Sequence, residues 1–277
     1  MATANFFYAN LIRGRDLKVV LLGTGGPRPD PHRQGPSTAI EREKEFMLFD
    51  AGRGVCTQLV RAGIPHTEVD PIFITHHHFD HIGGLADLLL ASWNNGRKKP
   101  IRIIGPEGTV EIIEVLLKQV YQKDINFRVT ESALSDSKLA NLHEIMEPRD
   151  VKPGLVHESK GLKVYTEYVE HGHGMGLSWE DWRCLGYRIE ADGKVVVVSG
   201  DAVDCVGIDR LAKGADILVH CCYLAEEEIT DHDSKLIAKY ILASPSQVGR
   251  IAERAGARKL VLTHIKKKPK EMLRRVM

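Results

Sequence analysis

Residues 75–84 run Thr75-His76-His77-His78-Phe79-Asp80-His81-Ile82-Gly83-Gly84, and no other stretch of the 277-residue chain limits its fold as tightly. His76, His78 and Asp80 stand at i, i+2 and i+4, with His81 directly after. On a helix, i and i+2 point about 200° apart, so this is not a helical metal motif. Just past the end of a strand, an i, i+2 pair shares one side, and a turn into a helix brings Asp80 and His81 round. Gly83 and Gly84 let the backbone fold tightly there. Three imidazoles and a carboxylate would be costly to bury unligated. This donor set suits zinc, with iron or manganese as alternatives. His77 points the other way in such a loop and reads as structural.

The surroundings fit that placement. Residues 71–74 are a short apolar run of strand type, and residues 85–93 have the apolar spacing of a helix. Further strands are expected at 18–22, 39–40, 46–49, 101–104, 162–169, 187–190, 194–198, 215–219 and 259–262. Helices are expected at 55–62 and 108–121, and from Ser244-Pro245, with Ser as N-cap and Pro at N1, to Gly256. Residues 129–156 are polar and irregular, and read either as holding a short helix or as an inserted flap. Strands and helices thus alternate along the whole length, which predicts an α/β chain built in layers. The expected organisation is an N-terminal extension at 1–16, one domain at 17–266 and a basic tail at 267–277.

Composition removes several function classes. With 38 Lys+Arg against 37 Asp+Glu, the formal charge is +1, which gives no bulk case for a nucleic-acid or membrane-surface protein. No apolar run approaches the roughly 18 residues of a membrane helix. The five cysteines are scattered, with no CxxC, and read mostly as buried thiols of a reducing cytoplasm.

His76-x-His78-x-Asp80-His81 after a strand, with Gly83-Gly84 behind it, resembles the signature of the metallo-β-lactamase superfamily. Other segments resemble further motifs of that family in order: Leu22-Gly23-Thr24-Gly25, Phe49-Asp50-Ala51-Gly52, Val169-Glu170-His171 followed by Gly186-Tyr187-Arg188-Ile189, Ser199-Gly200-Asp201, and Leu262-Thr263-His264-Ile265. The likeness is strongest to the ribonuclease Z-like branch. It implies an αββα sandwich, two mixed sheets packed face to face with helices outside. It also implies a hydrolase with two zinc ions. One ion would take His76, His78 and His171, the other Asp80, His81 and His264, with Asp201 bridging. Asp80 would also orient the attacking hydroxide, and Asp50 would accept from a ligand imidazole. His173, two residues beyond His171, competes with it as a ligand. His173 and His232 are the candidates to give a proton to the leaving group.

Three departures set the expected substrate. Ribonuclease Z proteins carry a His just before the penultimate helix, where this chain has Leu242-Ala243-Ser244-Pro245-Ser246. They insert a long arm that binds transfer RNA, usually after the strand that holds GYRI; here Ile189 runs through Glu190 to Gly193 directly into the next strand. The charge is neutral, apart from the tail lysines 266–268. These departures predict a small-molecule substrate with an ester, lactone, amide or phosphoester bond, and no nucleic-acid partner. The Gly/Trp stretch 172–182 is a candidate wall over that substrate, and residues 129–156 a candidate rim or homodimer contact. The alternatives are a phosphodiesterase or ribonuclease Z-like nuclease, an iron-dependent redox enzyme on the same fold, and a metal-binding module without catalysis.

Overall fold

The apolar runs pair into two sheets, one in each of two units of the chain. The structure is a computed structural model that describes residues 8–9, 17–136 and 138–269. Most of the expected N-terminal extension and the tail from 270 on lie outside the described residues. One unit holds the chain up to Gly23 together with Ser37–Val151, and the other holds Thr24–Pro36 and the chain from Lys152.

The first unit carries a seven-stranded sheet in sequence order. Its strands are β1 (Tyr8–Ala9), β2 (Lys18–Gly23), β3 (Ser37–Arg42), β4 (Glu45–Phe49), β5 (Val69–Phe73), β6 (Ile101–Gly105) and β7 (Met146–Asp150). The first four are antiparallel neighbours, and β4 to β7 pair in parallel. Parallel strands are covered on both faces, so they read as unbroken apolar runs. Leu48, Phe49, Ile72, Phe73, Ile103 and Ile104 are accordingly buried, and Phe49 stacks on Phe73 at 4.8 Å between ring centres. Helices α1 (Val55–Arg61), α2 (Phe79–Ile82), α3 (Leu85–Asn94), α4 (Thr109–Val115), α5 (Gln122–Ala133) and α6 (Leu142–Ile145) complete the unit, with a wider π-helical turn at Leu116–Val120 after α4. Leu59, Leu88, Leu89 and Trp93 bury the inner sides of α1 and α3, and the Trp93 indole N–H donates to the Ala140 carbonyl at 2.8 Å.

The stretch 129–156 holds a short helix, α6, and is not one irregular flap. It contains the end of α5, all of α6, the edge strand β7 and the start of the next sheet. Met146-Glu147-Pro148-Arg149-Asp150 is a polar sequence, and an edge strand tolerates both its exposure and its proline.

The second unit carries six strands, again in sequence order: β8 (Gly154–Ser159), β9 (Leu162–Tyr168), β10 (Leu185–Ala191), β11 (Lys194–Val198), β12 (Ile217–Cys221) and β13 (Leu260–Thr263). The pattern of the first sheet repeats: β8 to β11 are antiparallel neighbours, and β11, β12 and β13 are parallel. Between β10 and β11, Asp192 and Gly193 both take positive φ (53° and 70°), which closes a two-residue hairpin turn. Helices α7 (Val206–Ala212) and α9 (Pro245–Ala255) cover the parallel side, where Ile208, Leu211 and Ile251 pack with Val197 and Leu218. Helix α8 (His232–Leu236) lies between them in sequence. Ser244 caps α9 by accepting from the Gln247 amide, and Gly256 ends it in the left-handed conformation, as the sequence predicts. No helix among the described residues is long and apolar enough to cross a membrane. The five cysteines are unbridged.

Candidate metal centre

In the first unit the ligand candidates sit on the loop between β5 and α3. The Ile74 amide bonds the Ile104 carbonyl, so the chain stays strand-like until Thr75. His78 is still extended (φ −60°, ψ 141°), and α2 starts at the next residue. This is the strand-to-helix geometry that the i, i+2, i+4 spacing predicts. A second loop, Asp50 to Gly54, is fastened to it: the Ala51 amide bonds the His81 carbonyl, and the Gly84 amide bonds the Ala51 carbonyl, both at 2.8 Å. A Cβ on Gly84 would come within 2.3 Å of the Gly52 carbonyl oxygen. Close backbone approach, and not a special φ, is what requires glycine there.

Asp50 anchors the group. Its carboxylate accepts from the Thr75 amide (2.8 Å), the Thr75 hydroxyl (2.9 Å) and His81 Nδ1 (2.7 Å). The Thr75 hydroxyl has spent its proton on Asp50, so it accepts from His76 Nδ1–H at 2.9 Å. Both imidazoles therefore carry their proton on Nδ1 and keep a lone pair on Nε2. His76 Nε2 lies 3.0 Å from His78 Nδ1, and Asp80 and His81 are buried beside them. His77 points away, as expected: its Nε2 reaches the Thr109 hydroxyl at 2.8 Å, bracing the loop on α4, and burial pushes its pKa down.

In the second unit three strand ends supply the rest. His171 follows β9, and its Nδ1–H donates to the Ile241 carbonyl at 2.7 Å, which leaves Nε2 as the donor atom for a cation. Asp201 follows β11 on the turn at Gly200. His264 follows β13 with a positive φ of 55°, and the next amide, Ile265, bonds the Thr24 carbonyl. Asp201 Oδ2 stands 3.1 Å from His264 Nε2 and 4.0 Å from His171 Nε2. All three side chains are buried. The Thr24–Pro36 segment closes on this corner, and a Cβ on Gly26 would meet the His264 ring at 3.0 Å.

These donor sets fit divalent metal. Buried imidazoles whose Nδ1–H is tied to a carboxylate, hydroxyl or carbonyl, and whose Nε2 faces a buried carboxylate or another imidazole, are the arrangement that ligates zinc, iron or manganese.

The proposed proton donors are placed differently. His173 lies in the loop after His171: its Nδ1 accepts from the His171 amide (3.1 Å), its Nε2–H donates to the Trp182 carbonyl (2.7 Å), and its ring stacks on Trp179 at 3.6 Å. Both ring nitrogens thus hold the loop together. His232 is exposed in the first turn of α8. Two supports escaped the sequence reading. Thr75 directly precedes the motif and could have been noticed for its hydroxyl. The Ile241 carbonyl has no side-chain signal at all.

The tail lysines are partly committed. Lys266 and Lys268 both pair with Glu228, and Lys268 Nζ also donates to the Tyr223 carbonyl at 3.0 Å.

The model of the Beta-lactamase superfamily domain matches residues 46–265. The chain is 35% identical over 254 residues to ribonuclease Z of Mycobacterium bovis (strain BCG / Pasteur 1173P2), covering 90% of this chain and 85% of the relative. It is 33% identical over 255 residues to ribonuclease Z of Mycobacterium marinum, covering 90% and 86%. Among solved structures it resembles the metallo-β-lactamase fold protein YhfI of Bacillus subtilis (TM-score 0.69, 19% identity, 95% and 92% covered) and the short form of human tRNase Z (0.66, 23%, 90% and 93%). Both structural likenesses establish the metallo-β-lactamase fold, with its two mixed sheets and flanking helices. Relatives named for cutting RNA, at this identity and coverage, overturn the expectation of a small-molecule substrate with no nucleic-acid partner.

Proposed function

The chain belongs to the metallo-β-lactamase superfamily as a hydrolase of its ribonuclease Z-like branch, and we propose that it hydrolyses phosphodiester bonds in RNA with the help of bound divalent metal. The observation that carries this reading is the 254-residue similarity to ribonuclease Z, which spans 90% of the chain. His76, His78 and His171 would hold one ion and Asp80, His81 and His264 the other, with Asp201 shared. Two zinc ions fit this nitrogen-rich set best, iron or manganese being the alternatives. Bound there, such ions supply charge to the phosphate oxygens and lower the pKa of water.

The chain's own residues do the rest. Asp50, Thr75 and the Ile241 carbonyl fix which ring nitrogen of His81, His76 and His171 is left as a donor. A ligand ring already held in one tautomer and one orientation gives up less freedom on binding. Asp80, buried between His81 and the exposed Phe79, is the residue to orient the attacking water. The leaving oxygen takes its proton from a group other than His173, whose ring nitrogens are both engaged.

The test is cleavage of a 5′-labelled oligoribonucleotide by the purified full chain, with zinc or manganese supplied. Cleavage should require metal, stop on chelation, and be abolished in Asp201→Ala and His264→Ala. RNA left intact by the metal-loaded wild type would sink the reading.

A further inference from the structure

Phe79 sits between two proposed ligands, His78 and Asp80, yet its side chain is 62% exposed while that of Asp80 is buried. A phenylalanine stabilises a fold by taking its ring out of water, and a ring left this open does little of that. The fold uses the backbone of residue 79, since its carbonyl is what a Cβ on Gly83 would strike. It makes no comparable use of the ring.

Arg53 lies beside the ring. The guanidinium carbon of Arg53, on the loop fastened to the motif, stands over it at 5.8 Å from the centroid. A cation over one aromatic face fixes the ring and adds positive potential beside it. An aromatic platform next to a cation is the combination that receives a nucleotide: the ring stacks on the base, and the charge attracts the phosphate. Phe79 stands between His78 and Asp80 in the chain, so a base stacked on this ring is the one expected to flank the bond cut there.

The other exposed Phe and Trp rings among the described residues fit less well. Trp179 is already stacked on His173; Phe127 on α5 also has an arginine, Arg128, over its ring at 5.8 Å, but unlike Phe79 it does not neighbour a ligand candidate in the chain. The need for such a platform is plain: the β10–β11 turn has two residues where the arm would be inserted, and two of the tail lysines are held by Glu228.

We propose that Phe79, held by Arg53, is the stacking platform for one base flanking the scissile phosphate. This rests on the RNA reading above. The experiment uses the zinc-loaded full chain and an oligoribonucleotide whose cut site has been mapped, plus two versions with an abasic nucleotide on one or the other side of the cut. Phe79→Ala should lower kcat/KM on the intact oligonucleotide by about tenfold, mostly through KM, as expected for losing one stacked base. Phe79→Tyr should restore it, with zinc content at the wild-type level throughout. One abasic position should slow the wild type by a similar factor and slow Phe79→Ala no further. If the wild type cuts RNA and Phe79→Ala cuts it equally well, or both abasic positions slow the two proteins alike, the platform is wrong and the RNA reading stands. If Phe79→Ala loses zinc, its ring serves the ligands and the platform is also wrong. If the wild type cuts no RNA, both fall together.

Discussion

Asp50 Oδ2 accepts from His81 Nδ1 over 2.7 Å, with both side chains almost wholly buried. The same carboxylate takes the Thr75 amide and hydroxyl, so one acidic residue, left-handed at φ 60°, sets the orientation of two imidazoles from a neighbouring loop. Asp50→Ala should weaken metal binding by about 10- to 100-fold, the usual effect of removing such a support. Competition with a chromogenic chelator measures it. An unchanged dissociation constant would mean that Asp50 only terminates the strand.

Gly84→Ala tests the packing of the same two loops. The added methyl would overlap the Gly52 carbonyl and press on Val55 Cγ1 at 2.9 Å. Backbone on one side leaves it nowhere to go, so overpacking should cost about 1–3 kcal/mol, seen as a lower thermal midpoint. A midpoint equal to wild type would show that the loops can separate freely.

Much of the candidate site was legible in the sequence because buried imidazoles and carboxylates are costly residues, and here they crowd at strand ends. The same holds for α9, whose Ser244-Pro245 start and Gly256 stop are local backbone chemistry. Strand β7 was not legible: on a sheet edge, Met146-Glu147-Pro148-Arg149-Asp150 need not alternate or be apolar. Helix α5 was missed because Ile125 is its only fully buried residue, so its apolar face carries almost no signal. The Ile241 carbonyl, at the end of a π-helical turn, is a backbone group and cannot be read from side chains. The substrate was misread for another reason. A formal charge of +1 is a sum over the whole chain, and a polyanion responds to local charge, which that sum does not locate.

Glu228 gives a pH prediction. Burial pushes its pKa up, but the Ala225 amide and the ammonium groups of Lys268 and Lys266 outweigh this and bring it down from 4.5 to about 2. A carboxylate whose folded pKa is depressed contributes stability above its unfolded value, and that contribution is lost as pH falls through the folded one. Wild type should therefore exceed Glu228→Gln in urea midpoint at pH 6, with the gap closing between about pH 4.5 and pH 2. A gap that stays constant over that range would show that the lysine contacts do not depend on the charge of Glu228.

His173 separates a proton donor from a structural brace. A donor would shape the basic limb of the pH–rate profile, and replacing it would flatten that limb. The ring observed here has one nitrogen accepting from the His171 amide and the other donating to the Trp182 carbonyl, under a stacked Trp179. A group so engaged has no proton to spare without opening the loop. His173→Ala should therefore lower kcat/KM on RNA while leaving both limbs of the profile where they were. It should also expose residues 174–182 to limited proteolysis, because the bonds that close that loop are gone. A lost basic limb with an intact, protease-resistant loop would return His173 to the chemistry.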